Sequence, residues 1–203
     1  MRNILLFAFV CMIAFSGCNA PKPVKTIENL KAGIKGETTA SAKYAAFAAK
    51  AREEGNDTIA KLFDAASKAE SIHATNHKKV LEGLGEKMED FKPEFEVKTT
   101  VENLQAAIEG ETYEATTMYP QFLADAAAEK VEKATKSFNW AFDTEKKHAA
   151  FYQKALDALK VNAENTLAFE YAVCPVCGNT YEKAMLDKKC AFCQTGEEKF
   201  IMI

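Results

Sequence analysis

An all-α four-helix bundle followed by a small four-cysteine metal-binding domain is the fold class this sequence predicts. Three observations point there. A stretch near the start, ENLKAGIKGET at 28–38, returns as ENLQAAIEGET at 102–112, identical at eight of eleven positions with an offset of 74. Each copy opens a long helical pattern, the mark of a duplicated hairpin of helices. Gly and Pro are scarce, nine and five in 203 residues, while 48% of the chain is apolar and 27% charged. That balance favours long helices over disorder, collagen or a small disulfide scaffold. Finally, four of the six cysteines fall in the last 30 residues, as two Cys-x-x-Cys pairs.

The elements follow in order. Residues 1–17 read as an export signal: Arg2, then an uncharged apolar run from Ile4 to Phe15, then Ser16-Gly17 before Cys18. The run falls short of the roughly 20 apolar residues that a membrane span needs. The cysteine placement resembles that of a bacterial lipoprotein signal, which makes Cys18 the expected lipidation site and 18–25 a tether; plain signal cleavage, with Cys18 a bystander, is the alternative. The expected location is therefore outside the cytoplasm, lipid-anchored to a bacterial membrane. Residues 26–165 are expected to form the bundle. A first helix runs from about Thr26 to Glu54, with Leu30, Ile34, Ala40, Tyr44 and Phe47 at helical spacing. Gly55-Asn56-Asp57 breaks it, and Asp57 is expected to cap the second helix, which ends near Leu84. A longer connection containing Pro93 leads to a third helix, opened by a capping box at Thr99-x-x-Glu102. It runs to about Ala128, with a kink or break expected at Pro120. The fourth helix spans about Lys130 to Lys160.

Each repeat carries carboxylates and one histidine in apolar-rich helices. Glu37 and Glu111 are repeat partners. Glu70-x-x-His73 and Glu145-x-x-His148 are repeat-equivalent at an offset of 75. Residues three apart share a helix face, so a glutamate and a histidine so spaced can grip one metal pair. The alternating order Glu, Glu-x-x-His, Glu, Glu-x-x-His is a dinuclear carboxylate pattern of four-helix bundles, and oxygen with imidazole donors suits iron or manganese. Glu114, three residues after Glu111, has Ala40 as its first-half counterpart, so one side of the site has a spare carboxylate. Tyr44 and Tyr119 lie two turns beyond Glu37 and Glu111, where they are either hydrogen-bond supports for ligand carboxylates or core aromatics. His77 is expected to face solvent or to support a ligand. Trp140, Phe138 and Phe142 read as core.

In 166–203, Cys174-Pro-Val-Cys177-Gly178 and Cys190-Ala-Phe-Cys193 are separated by twelve residues. Such pairs suit a tetrahedral tetrathiolate site for iron or zinc; two disulfides are the competing reading in an exported chain. Phe169, Tyr171, Tyr181, Phe192 and Phe200 are candidates for the core of this unit, which metal would stabilise.

Taken together, GETTASAKY, ESIH, GETYE and EKKH, followed by CPVCG and CAFC, resemble the rubrerythrins across residues 26–203. The resemblance implies a ferritin-like bundle joined to a rubredoxin-like domain. It also implies two iron ions in an oxo- and carboxylate-bridged site and one iron held by Cys174, Cys177, Cys190 and Cys193, where zinc is the alternative. Glu70 and Glu145 look like the bridging carboxylates, Glu37 like a terminal ligand of one iron, and Glu111 with His148 like ligands of the other. Glu114 and His73 look like alternative ligands of the first iron, exchanged with redox state. The implied activity is a peroxidase reducing hydrogen peroxide to water in protection against oxidative stress. Its implied partners are an unidentified electron donor and a second copy of the chain, whose rubredoxin-like module would approach this chain's diiron site. Ferroxidase or iron handling, oxygen reduction, and a zinc-stabilised binding module on an inactive bundle are the alternatives. The charge balance, 26 basic against 29 acidic residues, gives no basic field for nucleic acid.

Overall fold

A computed structural model describes residues 21–203. The expected export signal and Cys18 lie outside the described residues. None of the helices in the described part is long and apolar enough to cross a membrane. Five α-helices build the bundle: α1 (Val24–Glu53), α2 (Asp57–Gly83), α3 (Thr100–Tyr113), α4 (Tyr119–Ala128) and α5 (Glu132–Lys160). A three-stranded antiparallel sheet follows, β1 (Tyr171–Val173), β2 (Thr180–Glu182) and β3 (Ile201–Met202), in the order β2-β1-β3.

Helix ends follow a shared rule. Beyond α1, α2, α4 and α5 a residue takes a left-handed conformation, at Gly55, Gly85, Lys130 and Asn162. In each case the following amide donates to a carbonyl five residues back, as Asn56 N to Ala51 O at 2.8 Å and Ala163 N to Ala158 O at 2.9 Å. This bond satisfies carbonyls that the helix end leaves unpaired. The capping box at Thr99 and Glu102 forms as the sequence predicts. Asp57 does not cap α2: the cap position is Asn56, whose side chain makes no capping bond, and Asp57 is the first helical residue. Two carboxylates serve distant helix starts instead. Glu54 Oε2 accepts from Thr100 N at 2.9 Å, and the carboxylate of Glu129 accepts from Lys25 N and Thr26 N at 3.1 and 2.7 Å. Glu54 and Glu129 are themselves 75 apart, so the repeat extends to how its halves are tied together. Each of these carboxyls is held below its ordinary range by those amides.

The expected third helix is divided. Five residues, Glu114–Met118, form a π turn, and Tyr119 N donates to Glu114 O. Pro120 sits in the first turn of α4, directly after the π turn. The cause is an insertion. The repeat offset is 74 at Glu37/Glu111 and 75 from Tyr44/Tyr119 onward, and one extra residue inside a helix is absorbed as a π turn.

Two apolar clusters fill the bundle. One contains Tyr44, Phe47, Phe63, Leu104 and Tyr152; the other contains Leu30, Ile34, Leu81, Tyr119, Phe122 and Phe138. On α1, α2 and α5 the predicted ligand residues fall between the segments that feed these clusters, and Glu111 on α3 lies between Leu104 and Tyr119. Phe138 is core as expected, whereas Trp140 is half-buried and packs against the cysteine unit. Phe142 is also half-buried, with Lys146 Nζ over its ring at 3.4 Å. The core of the cysteine unit uses Tyr181, Phe192 and Phe200. Tyr171 turns to the bundle and meets Phe151, and Phe169 is exposed beneath Lys61.

Candidate metal centres

Glu37, Glu70, His73, Glu111, Glu145 and His148 converge and are buried. They form two overlapping groups, Glu37-Glu70-His73-Glu145 and Glu70-Glu111-Glu145-His148. Within each group every residue offers a ligand atom within 4.8 Å of the others. Glu70 and Glu145 belong to both groups, which is the placement a bridging carboxylate requires. The halves are related by pseudo-symmetry. His73 Nδ1 lies 3.0 Å from Glu70 Oε2 and from Glu145 Oε1, and 3.8 Å from Glu37 Oε2. His148 Nδ1 lies 3.0 Å from Glu70 Oε1 and from Glu145 Oε2, and 3.8 Å from Glu111 Oε1.

Four carboxylates in a dry layer cannot all ionise without cations. Burial, then the charge of Glu145, pushes the Glu37 carboxyl up to about 8. Burial and the neighbouring carboxylates raise Glu111 well above the usual range. Burial opposes ionisation of Glu70 too, but the imidazoles of His148 and His73 outweigh it and hold that carboxyl at about 2. His148, which burial would lower, is instead raised to about 9 by Glu70 and Glu145. Protons thus do part of the neutralising that metal would do. The donor set passes a stricter test. Glu37 Oε2, Glu70 Oε1, Glu111 Oε2, both oxygens of Glu145 and His148 Nδ1 are buried and have no hydrogen-bond partner beyond one another and His73. Buried polar atoms are almost always paired, and these point into the two groups. The residues fit a pair of metal ions.

Glu114, part-exposed, stands outside both groups while His73 stands inside one. Its carboxyl still feels the layer, raised by burial and by Glu37 and Glu111. Both predicted tyrosines reach the layer, each to the opposite repeat. Tyr44 Oη donates to Glu111 Oε1 at 2.7 Å, and Tyr119 Oη donates to Glu37 Oε1. His77 is buried, which rules out a solvent-facing role, and bonds Tyr119 Oη at 3.0 Å and Ser137 Oγ at 2.7 Å. Burial, then the charge of His73, lowers it to about 3, so the ring is neutral.

The four cysteines are free thiols rather than disulfides. Cys174 Sγ lies 3.4 Å from Cys193 Sγ, and Cys177 Sγ 3.4 Å from Cys190 Sγ. All four sulfurs lie within 4.8 Å of one another. Backbone amides of Val176 and Cys177 point at Cys174, that of Asn179 at Cys177 and that of Cys193 at Cys190. Such amides favour thiolates and so suit a metal.

This unit rests on the bundle of its own chain. Thr180 Oγ1 lies 2.9 Å from His148 Nε2 and donates to Gly178 O at 3.3 Å. With its proton so committed, Thr180 accepts from Nε2–H and leaves Nδ1 free for a metal. Gly178 has φ +83°, and a Cβ there would overlap the His73 imidazole. Lys147 Nζ donates to Asn179 Oδ1 at 2.6 Å, and Asn76 Nδ2 to Val176 O at 2.8 Å. Thr180, Lys147 and Asn179 carry no sequence signal for this role.

Comparison with known proteins agrees with this geometry. The family model described as Rubrerythrin matches residues 28–156. Rubrerythrin-2 of Clostridium acetobutylicum is 33% identical over 180 residues, covering 88% of this chain and 97% of that protein. Nigerythrin of Nitratidesulfovibrio vulgaris is 35% identical over 184 residues, covering 86% of this chain and 85% of that protein. The solved mixed-valent nigerythrin superposes with a TM-score of 0.79 at 34% identity, over 88% of this chain and 86% of its own.

Proposed function

The chain belongs to the rubrerythrin family, and from that premise we propose that it is a non-haem diiron peroxidase. It reduces hydrogen peroxide to water in defence against oxidative stress. The observation that carries this reading is the seating of the four-cysteine unit on both imidazoles of the carboxylate layer, through Thr180 and Gly178. An iron store has no use for an electron-carrying site there. That a nigerythrin 32–34% identical to this chain has been solved in mixed-valent and fully ferrous states supports redox-active iron. Iron in the layer would supply Lewis acidity and two electrons per peroxide, and iron in the four-cysteine site would return them singly.

The chain's own residues do the rest. Glu70 and Glu145 span the two positions, and Glu37 and Glu111 close the ends. Tyr44 and Tyr119 hold those terminal carboxylates in place. Thr180 fixes the tautomer of His148. Nε2 of His73 has no partner, so this imidazole is the less tethered of the two, in keeping with an exchange of His73 for Glu114 when the redox state changes. The further proposals are a homodimer, an external electron donor, and export with lipidation at Cys18.

The test compares oxidants. Anaerobically reduced protein is mixed separately with hydrogen peroxide and with oxygen, and the oxidised protein with excess ferrous iron. Oxidation by peroxide faster than by oxygen, without accumulation of ferric mineral, is expected. Preferential ferrous iron oxidation would favour iron handling, and preferential reaction with oxygen an oxidase.

A further inference from the structure

Glu37 is the inner end of a hydrogen-bonded file that reaches the surface. Tyr119 Oη donates to Glu37 Oε1, Tyr119 Oη lies 3.0 Å from His77 Nε2, and His77 Nδ1 lies 2.7 Å from Ser137 Oγ. Ser137 lines a surface recess of about 310 Å³ with Asn76, Lys79, Lys133, Lys136 and Trp140. Glu37, His77, Tyr119 and Ser137 stand on α1, α2, α4 and α5, so four helices must pack to assemble it.

Donor accounting gives the file a direction. With Glu37 ionised, as it is when it ligates a metal, the single proton of Tyr119 is committed to the carboxylate, so its oxygen accepts from His77 Nε2–H. The neutral ring then offers a lone pair at Nδ1, to which Ser137 donates. All three donors point inward. If each proton advances one place, Glu37 gains a proton and Ser137 takes one from the recess. Nothing on the way is left charged.

The other half of the pseudo-symmetric bundle has no such file. There Tyr44 donates to Glu111, but the equivalent of His77 at the 75-residue offset is Tyr152 and that of Ser137 is Leu62. The hydroxyl of Tyr152 is buried without a partner, and its ring packs 5.1 Å from Phe63 and 5.5 Å from Tyr44. One terminal carboxylate is therefore linked to a surface recess through a file of polar groups, whereas the file from its twin stops at Tyr44 in an aromatic cluster.

We propose that Ser137, His77 and Tyr119 form a proton relay delivering solvent protons to Glu37 during peroxide reduction. Each peroxide reduced to two waters consumes two electrons and two protons, and the ligand side chains of the layer are themselves buried. The inference rests on the peroxidase reading.

The test uses the full-length iron-loaded protein, reduced and mixed with peroxide in a single turnover in H₂O and in D₂O. Iron content is counted for each variant, and the His77 tautomer is read by ¹⁵N NMR in the zinc-loaded protein. Ser137→Ala is expected to slow oxidation about tenfold or more, to enlarge the solvent isotope effect and to leave iron content unchanged. Ser137→Thr, which keeps the hydroxyl, is expected to restore both, and Leu62→Ala to leave the isotope effect unchanged. The wild-type ring is expected to carry its proton on Nε2. A proton on Nδ1, a wild-type rate and isotope effect in Ser137→Ala, or a rate loss that follows iron loss would overturn the relay alone. A wild-type protein indifferent to peroxide would overturn the peroxidase reading and the relay with it.

Discussion

Tyr44 donates its phenolic proton to Glu111 across the repeat boundary, at 2.7 Å between two buried side chains. The reciprocal bond joins Tyr119 to Glu37. Each half of the duplication thus fixes the terminal carboxylate of the other, and neither hairpin can hold a complete site alone.

Removing that donor tests the cross-brace. Tyr44→Phe leaves the ring in its aromatic cluster and deletes one bond to a buried carboxyl. A loss of about 1.5–3 kcal/mol is expected where the carboxylate is charged, read by urea unfolding of zinc-loaded protein. No change would mean that Glu111 finds another donor.

The shared carboxylates should matter more for loading than the peripheral one. Glu70 belongs to both ligand groups and Glu114 to neither. Glu70→Ala is expected to empty both bundle positions, while Glu114→Ala keeps both metals, as counted by elemental analysis. Equal loss in the two variants would contradict the assignment.

Seating of the cysteine unit should be visible from the bundle side. Thr180→Val removes the acceptor of His148 Nε2–H, and losing such a support typically costs 10–100-fold in metal affinity. Gly178→Ala places a methyl group against His73 and strains a left-handed backbone. It is expected to destabilise the protein by about 1 kcal/mol or more in thermal unfolding, with the cysteine site still able to bind metal.

The metal-free protein should weaken as pH rises. Glu37, raised to about 8, and His148, raised to about 9, both hold protons in the folded chain that the unfolded chain releases earlier. Folded protein therefore binds more protons between the ordinary values and these, and stability falls across that window. Glu70, held at about 2, acts oppositely, contributing stability above its ordinary value that is lost in acid. Denaturant midpoints of metal-free protein are expected to drop from pH 6 to pH 9. Metal should flatten the slope, because cations then replace the protons.

Much of this was legible in the sequence because repeats and charge in apolar helices leave a mark. Glu37, Glu70, His73, Glu111, Glu145 and His148 stand out as polar groups in stretches that periodicity buries. The four cysteines declare themselves by spacing. The π turn was legible in principle, since the offset steps from 74 to 75, but Pro120 drew attention to the wrong position. Ser137 and Thr180 were not legible, because one serine or threonine has meaning only through what packs opposite it. His77 looked peripheral for the same reason: its partners lie 42 and 60 residues away.

Protein purified and reduced without oxygen is assayed for iron and zinc, then titrated with hydrogen peroxide while the ferrous signal is followed. Iron is expected in all three ligand groups, with rapid, stoichiometric loss of the ferrous pair and one peroxide consumed per pair. Zinc in the four-cysteine site, or a ferrous pair that persists in excess peroxide, would contradict it.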